Sequence, residues 1–367
     1  MKTKFIILAI VSVCVFALKG QELSAFNTAQ NIEDFEFALE ELESSYSGFD
    51  TYVNDSTRTE YDNLVGRLRK DIDGGRAGWD AALQLYSWFD DGHLGLSLPY
   101  RIAEKYMSGK HGFNPYSEIQ PYEPSRVAKE VTPKTYLVRL PDFADEELTF
   151  EWIDSVVNIV QSNKYQNLII DLRNNGGGDE RYWHPFLPLI YDHPGTVKSV
   201  EYRNSPHNIA YLQAASTEFP EAQMILDKIA KNPSARFVLL TDTEDYDIDA
   251  VPTNGHKPNK VAIIIDNNVA SAAEEFLLQA RAVSNRVTIF GKENTNGMLD
   301  CASVRESILP NSQIPIEIPT ARSCRLPNNG IDKTGIAPDV RIEWDYPTTL
   351  TGNIDEWTLM IAEDLEK

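Results

Sequence analysis

The chain has 367 residues, 42% of them hydrophobic and 24% charged, with a formal net charge of −21. That is enough chain for one large core or two domains. The acidity excludes nucleic acid as a natural partner and gives no basic footing on anionic lipid.

Residues 1–20, MKTKFIILAIVSVCVFALKG, set Lys2 and Lys4 before an apolar run from Phe5 to Leu18 and close on Gly20. The run is short for a bilayer span and predicts a cleaved secretory signal, hence a periplasmic or extracellular protein. Cys14 sits inside the run behind Val13, a poor place for a lipidated cysteine. Loss of this segment and its three lysines would bring the net charge to −24. No later segment reaches transmembrane length, so no integral membrane segment is expected after cleavage.

Residues 21–98 read as a helical domain. Ile32, Phe35, Leu39, Leu42 and Tyr46 step by three and four behind an Asn31 cap. A second helix after Ser56 carries Tyr61, Leu64, Leu68 and Ile72, and a third runs from about Trp79 to Phe89. DDGH then turns the chain into LGLSLPY, which alternates as a strand does. Residues 99–134, rich in Pro, Tyr and Gly, read as a connecting segment or flap.

From residue 135 to 367 the pattern is α/β. TYLVRL, NLIIDL, TVKSVEYR, FVLL, VAIIID and VTIF read as strands. LTFEWIDSVVNIVQSN, a stretch near 210–232, and SAAEEFLLQARAV read as helices, and ERYWHPFLPLIY as one interrupted by prolines. Proline-punctuated β segments run on to VRIEW, and a last helix covers roughly 353–366. Cys301 and Cys324 form an even pair in an exported chain and predict a structural disulfide; the alternative is two buried thiols. No His/Glu cluster joins them, so no metal is expected, and no cofactor motif occurs.

Two loops carry chemistry. VAIIIDNNVASAAEEF ends a buried strand at Asp266 and opens a helix at Ser271, beside unpaired N–H groups at the positive end of the helix dipole. The same SAAE is a capping box, in which Ser271 and Glu274 satisfy each other's main chain, so nucleophile and cap compete for one hydroxyl. LIIDLRNNGGG leaves a second buried strand through three glycines, whose spacing fits no phosphate cradle. If the two strands are neighbours, both loops emerge on one edge. The N–H groups of Gly176, Gly177 and Ala272 could then form an oxyanion hole over Ser271. A serine needs a base; His93 in DDGHLGL is the first choice and His184 the second.

Taken together, LIIDLRNNGGG, NNVASAAEEF and GIAPDV at 335–340 resemble the tail-specific, or C-terminal processing, serine peptidases and the tricorn protease core. FDDGHLGL behind a helical unit is similar to the histidine-bearing, tricorn-like branch. The resemblance runs from about Ile32 to Trp344. It implies an α+β chain, a three-helix unit followed by a crotonase-like spiral of ββα units, that cleaves polypeptides through an acyl-enzyme. Ser271 matches the nucleophile, His93 the base, and Ala272 with Gly176 or Gly177 the oxyanion hole. Asp332, three residues before Gly335, matches the acid that supports the histidine. The sequence also departs from the family pattern. Asn296, Gly297 and Met298 stand where the lysine of a Ser–Lys dyad belongs, and Lys292 precedes that turn. Gly92 replaces the serine before the histidine, and no PDZ module fits in 99–134. A non-catalytic ligand carrier on the same scaffold is the competing reading, with aromatic stretches around YRNSPHNIAYL and ERYWHPFLPLIY as a pocket lining or as plain core.

Overall fold

The computed structural model describes residues 26–98, 125–248, 255–347 and 353–367. The expected signal, 1–20, and the 99–124 part of the expected flap lie outside the described residues.

Four helices open the described chain: α1 (Thr28–Ser45), α2 (Phe49–Tyr52), α3 (Arg58–Asp73) and α4 (Gly78–Tyr86). The first starts a turn earlier than its periodicity suggests. Asn27 caps it, its side chain accepting from Gln30 N while Gln30 answers the Asn27 N–H. Asn31 is buried instead, its side-chain oxygen accepting from Gly78 N at 3.0 Å and so tying α1 to α4. Ile32 is accordingly turned outward at 37% exposure.

The apolar strands assemble into a six-stranded sheet. In chain order, β1 (Gly95–Leu96) belongs elsewhere, whereas β2 (Val127–Thr132) and β3 (Thr135–Arg139) form an antiparallel pair within it. Residues 127–132 are therefore sheet and not connection. Helix α5 (Phe150–Asn163) crosses to β4 (Asn167–Asp171), parallel to β3. The proline-interrupted stretch after the glycines forms 3₁₀ turns and one short helix, α6 (Leu187–Ile190).

The segment TVKSVEYR, expected as one strand, divides at Ser199 into β5 (Gly195–Lys198) and β6 (Val200–Arg203) in different sheets. Ser199 gives its N–H to Glu244 and its carbonyl to Cys324 N, outside either ladder. Helices α7 (Pro206–Ala215) and α8 (Pro220–Lys231) lead to β7 (Phe237–Leu239) and β8 (Asp245–Ile248). Then come β9 (Lys260–Ile265), α9 (Ala272–Val283), β10 (Val287–Gly291), β11 (Cys301–Ile308), β12 (Pro315–Ser323), β13 (Val340–Arg341) and α10 (Glu356–Leu365).

The large sheet runs β13-β10-β9-β4-β3-β2, all pairs parallel but the last. Its central strands are apolar on both faces because both are covered, as parallel sheets require. Val138, Ile170 and Ile263 face α5 and α9, packing with Ile153, Val156, Phe276 and Leu277. Leu137, Ile169, Ala262 and Ile264, one residue out of phase, pack on Trp357 and Ile361 of α10. The other main sheet holds β1-β12-β6-β7 with β11 on β12. The helical unit closes over that hairpin: Phe35, Tyr46 and Phe89 share one apolar cluster with Cys301, Leu309, Ile316 and Ile318. The arrangement is mixed, α+β.

The expected disulfide is corrected here: both thiols are free. Cys301 opposes Arg322 in the β11–β12 ladder, not Cys324. Its sulfur is buried in the helical cluster near Gly48, while Cys324 lies beyond the strand end beside Glu201 and Glu244.

At the carboxyl ends of β3 and β4 sits a buried ionic cluster. Asp171 accepts from Arg139 Nε and Arg173 Nη2, each at 2.6 Å, and Asp355 accepts from the same two guanidinium groups at 3.1 and 2.6 Å. Burial alone would raise the Asp171 pKa, but Arg173 and Arg139 outweigh it and hold the carboxyl below its usual range. Asp355 also caps α10, accepting from Thr358 N at 2.9 Å. Asp355→Ala would leave two buried cations sharing one carboxylate. It should lower unfolding free energy in urea by about 3–5 kcal/mol, the usual cost of breaking a buried pair.

Candidate active site

Strands β4 and β9 are hydrogen-bonded neighbours in parallel register, Ile170 opposite Ile263 and Asp171 opposite Ile264. Their following loops therefore leave the sheet on the same edge. Asn175 fastens them together. Its carbonyl accepts Ala270 N at 3.0 Å, its amide donates to Leu140 O at 2.8 Å, and its side-chain oxygen accepts Gly177 N at 2.9 Å. Asp266 holds the first turn, its carboxylate accepting from Asn174 N at 3.1 Å and Asn268 N at 3.0 Å. Burial pushes its pKa up to about 6 against those donors.

Gly177 makes the close approach. At φ 102°, a side chain there would put its Cβ 2.7 Å from Ser271 Cβ and 3.0 Å from Ala272 N. Only glycine fits that position. Gly176 is exposed and faces open space. Neither its N–H nor that of Ala272 has an acceptor among the described residues. Gly177 differs from the sequence expectation, because its N–H is already given to Asn175.

Ser271 stands at the start of α9 with φ 53° and ψ −124°, a conformation costly for any residue with a Cβ. Glu274 secures it. The Glu274 carboxylate, buried, accepts from Thr295 Oγ1 at 2.5 Å, Gly297 N at 2.8 Å, Met298 N at 2.9 Å and Ser271 N at 3.2 Å. Ser271 N also donates to Met298 O at 2.9 Å. Burial raises the Glu274 pKa despite these donors, Thr295 first among them. Only the Glu274 half of the capping box forms: its carboxylate accepts Ser271 N at 3.2 Å, whereas Glu274 N donates to the Ser271 carbonyl oxygen at 2.8 Å, which leaves the hydroxyl to a different partner.

That partner is His93, whose Nε2 lies 3.1 Å from Ser271 Oγ. The other ring nitrogen, Nδ1, is 2.7 Å from the carbonyl oxygen of Cys301. A carbonyl only accepts, so Nδ1 carries the proton and Nε2 of the neutral ring presents a lone pair to the serine hydroxyl. The main chain of His93 is fixed too. Asp91 Oδ1 accepts His93 N at 2.9 Å, and buried Tyr46 donates to Asp91 Oδ2 at 2.6 Å. Burial raises the Asp91 pKa, opposed by His93 and by the Tyr46 bond. Gly92 packs so near Met298 that a Cβ would fall 2.3 Å from its sulfur, so a side chain there would require Met298 to move.

Asp332 is corrected as the partner of the histidine. Its Oδ1 accepts from Leu299 N at 2.7 Å and Asp300 N at 2.8 Å, while Asp300 Oδ2 accepts Asp332 N at 2.8 Å. The two residues clamp the start of β11, whose first carbonyl orients His93. Lys292 does not stand in for the lysine of a Ser–Lys dyad, since it donates to Trp344 O at 3.0 Å. His184 is also elsewhere, packed edge-on against Trp183, with burial lowering its pKa to about 4. Asp91 is the contributor that sequence reading passed over, and Glu274, read there only as half of a capping box, gathers Thr295, Gly297 and Met298 as further donors. A D-x-H turn was the available signal for the first.

Ser271, His93, Gly176 and Gly177 line one cavity of about 530 Å³ with Met298, Leu299 and residues of β11. An acceptor imidazole, a hydroxyl pointing at it and undersatisfied N–H groups at a helix start can together perform acyl transfer.

The profile of peptidase family S41 matches residues 134–342. Among curated proteins no sequence matches the chain. Solved structures do. Mature CPAF aligns with TM-score 0.59 at 11% identity, over 93% of this chain and 96% of that one. A Parabacteroides merdae protein proposed to be a peptidase aligns with TM-score 0.55 at 16% identity, over 88% and 90%. A Streptococcus agalactiae lipoprotein aligns with TM-score 0.50 at 13% identity, over 89% and 96%. At these identities the likeness is one of fold.

Two measurements check this geometry. Ser271→Gly should raise stability by about 1 kcal/mol, because glycine tolerates the positive φ, whereas Ser271→Ala keeps the Cβ and should not. Burial pushes the Asp332 pKa up to about 7, with the N–H groups of Asp300 and Leu299 opposing and the charges of Asp300 and Asp91 adding. An unfolded aspartate ionises near 3.9, so the fold holds a proton that the unfolded chain releases. Stability from this group is fullest at low pH and falls as pH rises towards about 7. Asp332→Asn should flatten that fall in thermal unfolding between about pH 4 and pH 8.

Proposed function

The chain belongs to peptidase family S41 and is a serine-type peptidase, and on that premise we propose that it is an exported endopeptidase working through Ser271 and His93. The observation that carries the reading is the 3.1 Å contact between Ser271 Oγ and His93 Nε2, with Nδ1 held on the Cys301 carbonyl. Hydrogen-bond reach favours a peptidase over a carrier on the same scaffold.

In the reaction, His93 takes the Ser271 proton as the oxygen attacks the scissile carbonyl of a polypeptide. The Ala272 and Gly176 N–H groups receive the developing oxyanion, aided by the positive end of α9. Gly177 contributes closeness, since its own N–H is committed to Asn175. His93 then protonates the leaving amine, and a water molecule, deprotonated by the same ring, resolves the acyl-enzyme. The Cys301 carbonyl fills the orienting role usually given to a carboxylate, and it stabilises the imidazolium less than a full charge would. Residues 1–20 support export to the periplasm or beyond.

A fluorophosphonate probe should label the wild-type protein at Ser271 and leave Ser271→Ala unlabelled. Label retained by that variant would move the nucleophile elsewhere. His93→Ala should slow peptide hydrolysis by about 10⁶-fold, as loss of the histidine does in related serine chemistry.

A further inference from the structure

The cavity beside Ser271 carries charge that the acyl-transfer steps do not use. Asp142, Glu180, Glu275, Glu306 and Glu317 line it, against one permanent cation among the described residues, Arg325. Arg325 is already engaged, with Nη1 3.4 Å from Glu275 Oε2 and Nε 3.2 Å from Asp300 Oδ1. Glu306 and Glu317 face each other directly across the β11–β12 ladder, and like charges so placed repel. Burial raises the Glu306 pKa, and Glu317 adds to it.

Glu180 is the more telling residue. It lies 4% exposed in the wall of the cavity, and its Oε2 has no hydrogen-bond partner among the described residues. Burial pushes its carboxyl well above the ordinary range, with Glu275 and Asp179 adding and Arg325 opposing. A buried acceptor left without a donor costs free energy. Nothing in the hydrolytic chemistry recovers that cost.

We propose that this wall is a subsite for a lysine or arginine side chain of the substrate polypeptide, with Glu180 as its buried acceptor and the Glu306–Glu317 pair drawing the cation in. The inference rests on the peptidase reading and names its substrate class. A cation answers both observations: its charge beside Glu180 favours the ionised carboxylate that can accept from it, and it relieves the opposed glutamates. A neutral side chain leaves the acceptor unpaired, and an acidic one adds repulsion, so the site discriminates by what it fails to satisfy.

The test separates recognition from catalysis. Ser271→Ala protein is titrated calorimetrically with two peptides identical except for lysine or norleucine at one position, scanned across the sequence. At one position lysine should bind at least about tenfold more tightly, a preference that fades as salt rises. Glu180→Gln in the same background, with Glu306→Gln as a second variant should the first fold poorly, should shrink the ratio towards one. Equal binding of the two peptides at every position, or a ratio unchanged in both variants, overturns the inference. Fluorophosphonate labelling of the wild-type protein reports on the serine separately. Label without lysine preference sinks only the subsite, and lysine preference without label sinks only the hydrolytic reading.

Discussion

The parallel pairing of β4 with β9 is the constraint on which the site depends. Once Asp171 lies opposite Ile264, the triple-glycine loop and the Ser271 turn must leave the sheet together. The buried Arg139–Asp171–Arg173–Asp355 cluster then holds the strand ends from below, and Asn175 laces the loops from above. Neither loop has a regular structure of its own. Their geometry is borrowed from a sheet buried on both faces and from side chains that satisfy the loop main chain.

The proposed reacting pair is assembled across two hydrophobic cores. Ser271 belongs to the sheet and α9, and its strained backbone is held by the four donors gathered on Glu274. His93 comes from the helical unit, with Asp91 and Tyr46 fixing its main chain and β11 fixing its ring. Asp332 and Asp300 act one step back, since each accepts main-chain N–H groups from the other's loop. The His93 ring is thus oriented by a neutral carbonyl whose position two aspartates secure.

Much of this was legible in the sequence. The buried strands declared themselves as short apolar runs, and both chemical loops followed them with glycine or serine where the main chain must turn sharply. What escaped was of another physical kind. The Cys301 carbonyl is a main-chain group, which no residue type announces, so a nearby acid was credited with its role. Strand register decided the cysteines: Cys301 opposes Arg322, and Cys324 falls beyond the end of β12. TVKSVEYR has the alternation of one strand, and period alone cannot say that Ser199 delivers its halves to two sheets. Asn31 looked like a cap because capping and burial of an asparagine both leave it beside an apolar stripe. His93, by contrast, stood out in a turn rich in glycine and aspartate, and its ring does lie 3.1 Å from Ser271 Oγ.

The cluster joining the N-terminal helices to the β11–β12 hairpin has a further consequence. Tyr46 and Phe89 lie on one side of that seam and Cys301 on the other, so the imidazole and the carbonyl that aims it meet only while the seam is shut. Parting it would separate His93 from Ser271 without disturbing the glycine bend, helix α9 or the sheet beneath. If the proposed pair does the chemistry, competence is a property of an apolar joint, and a molecule with every reacting atom intact can still be silent.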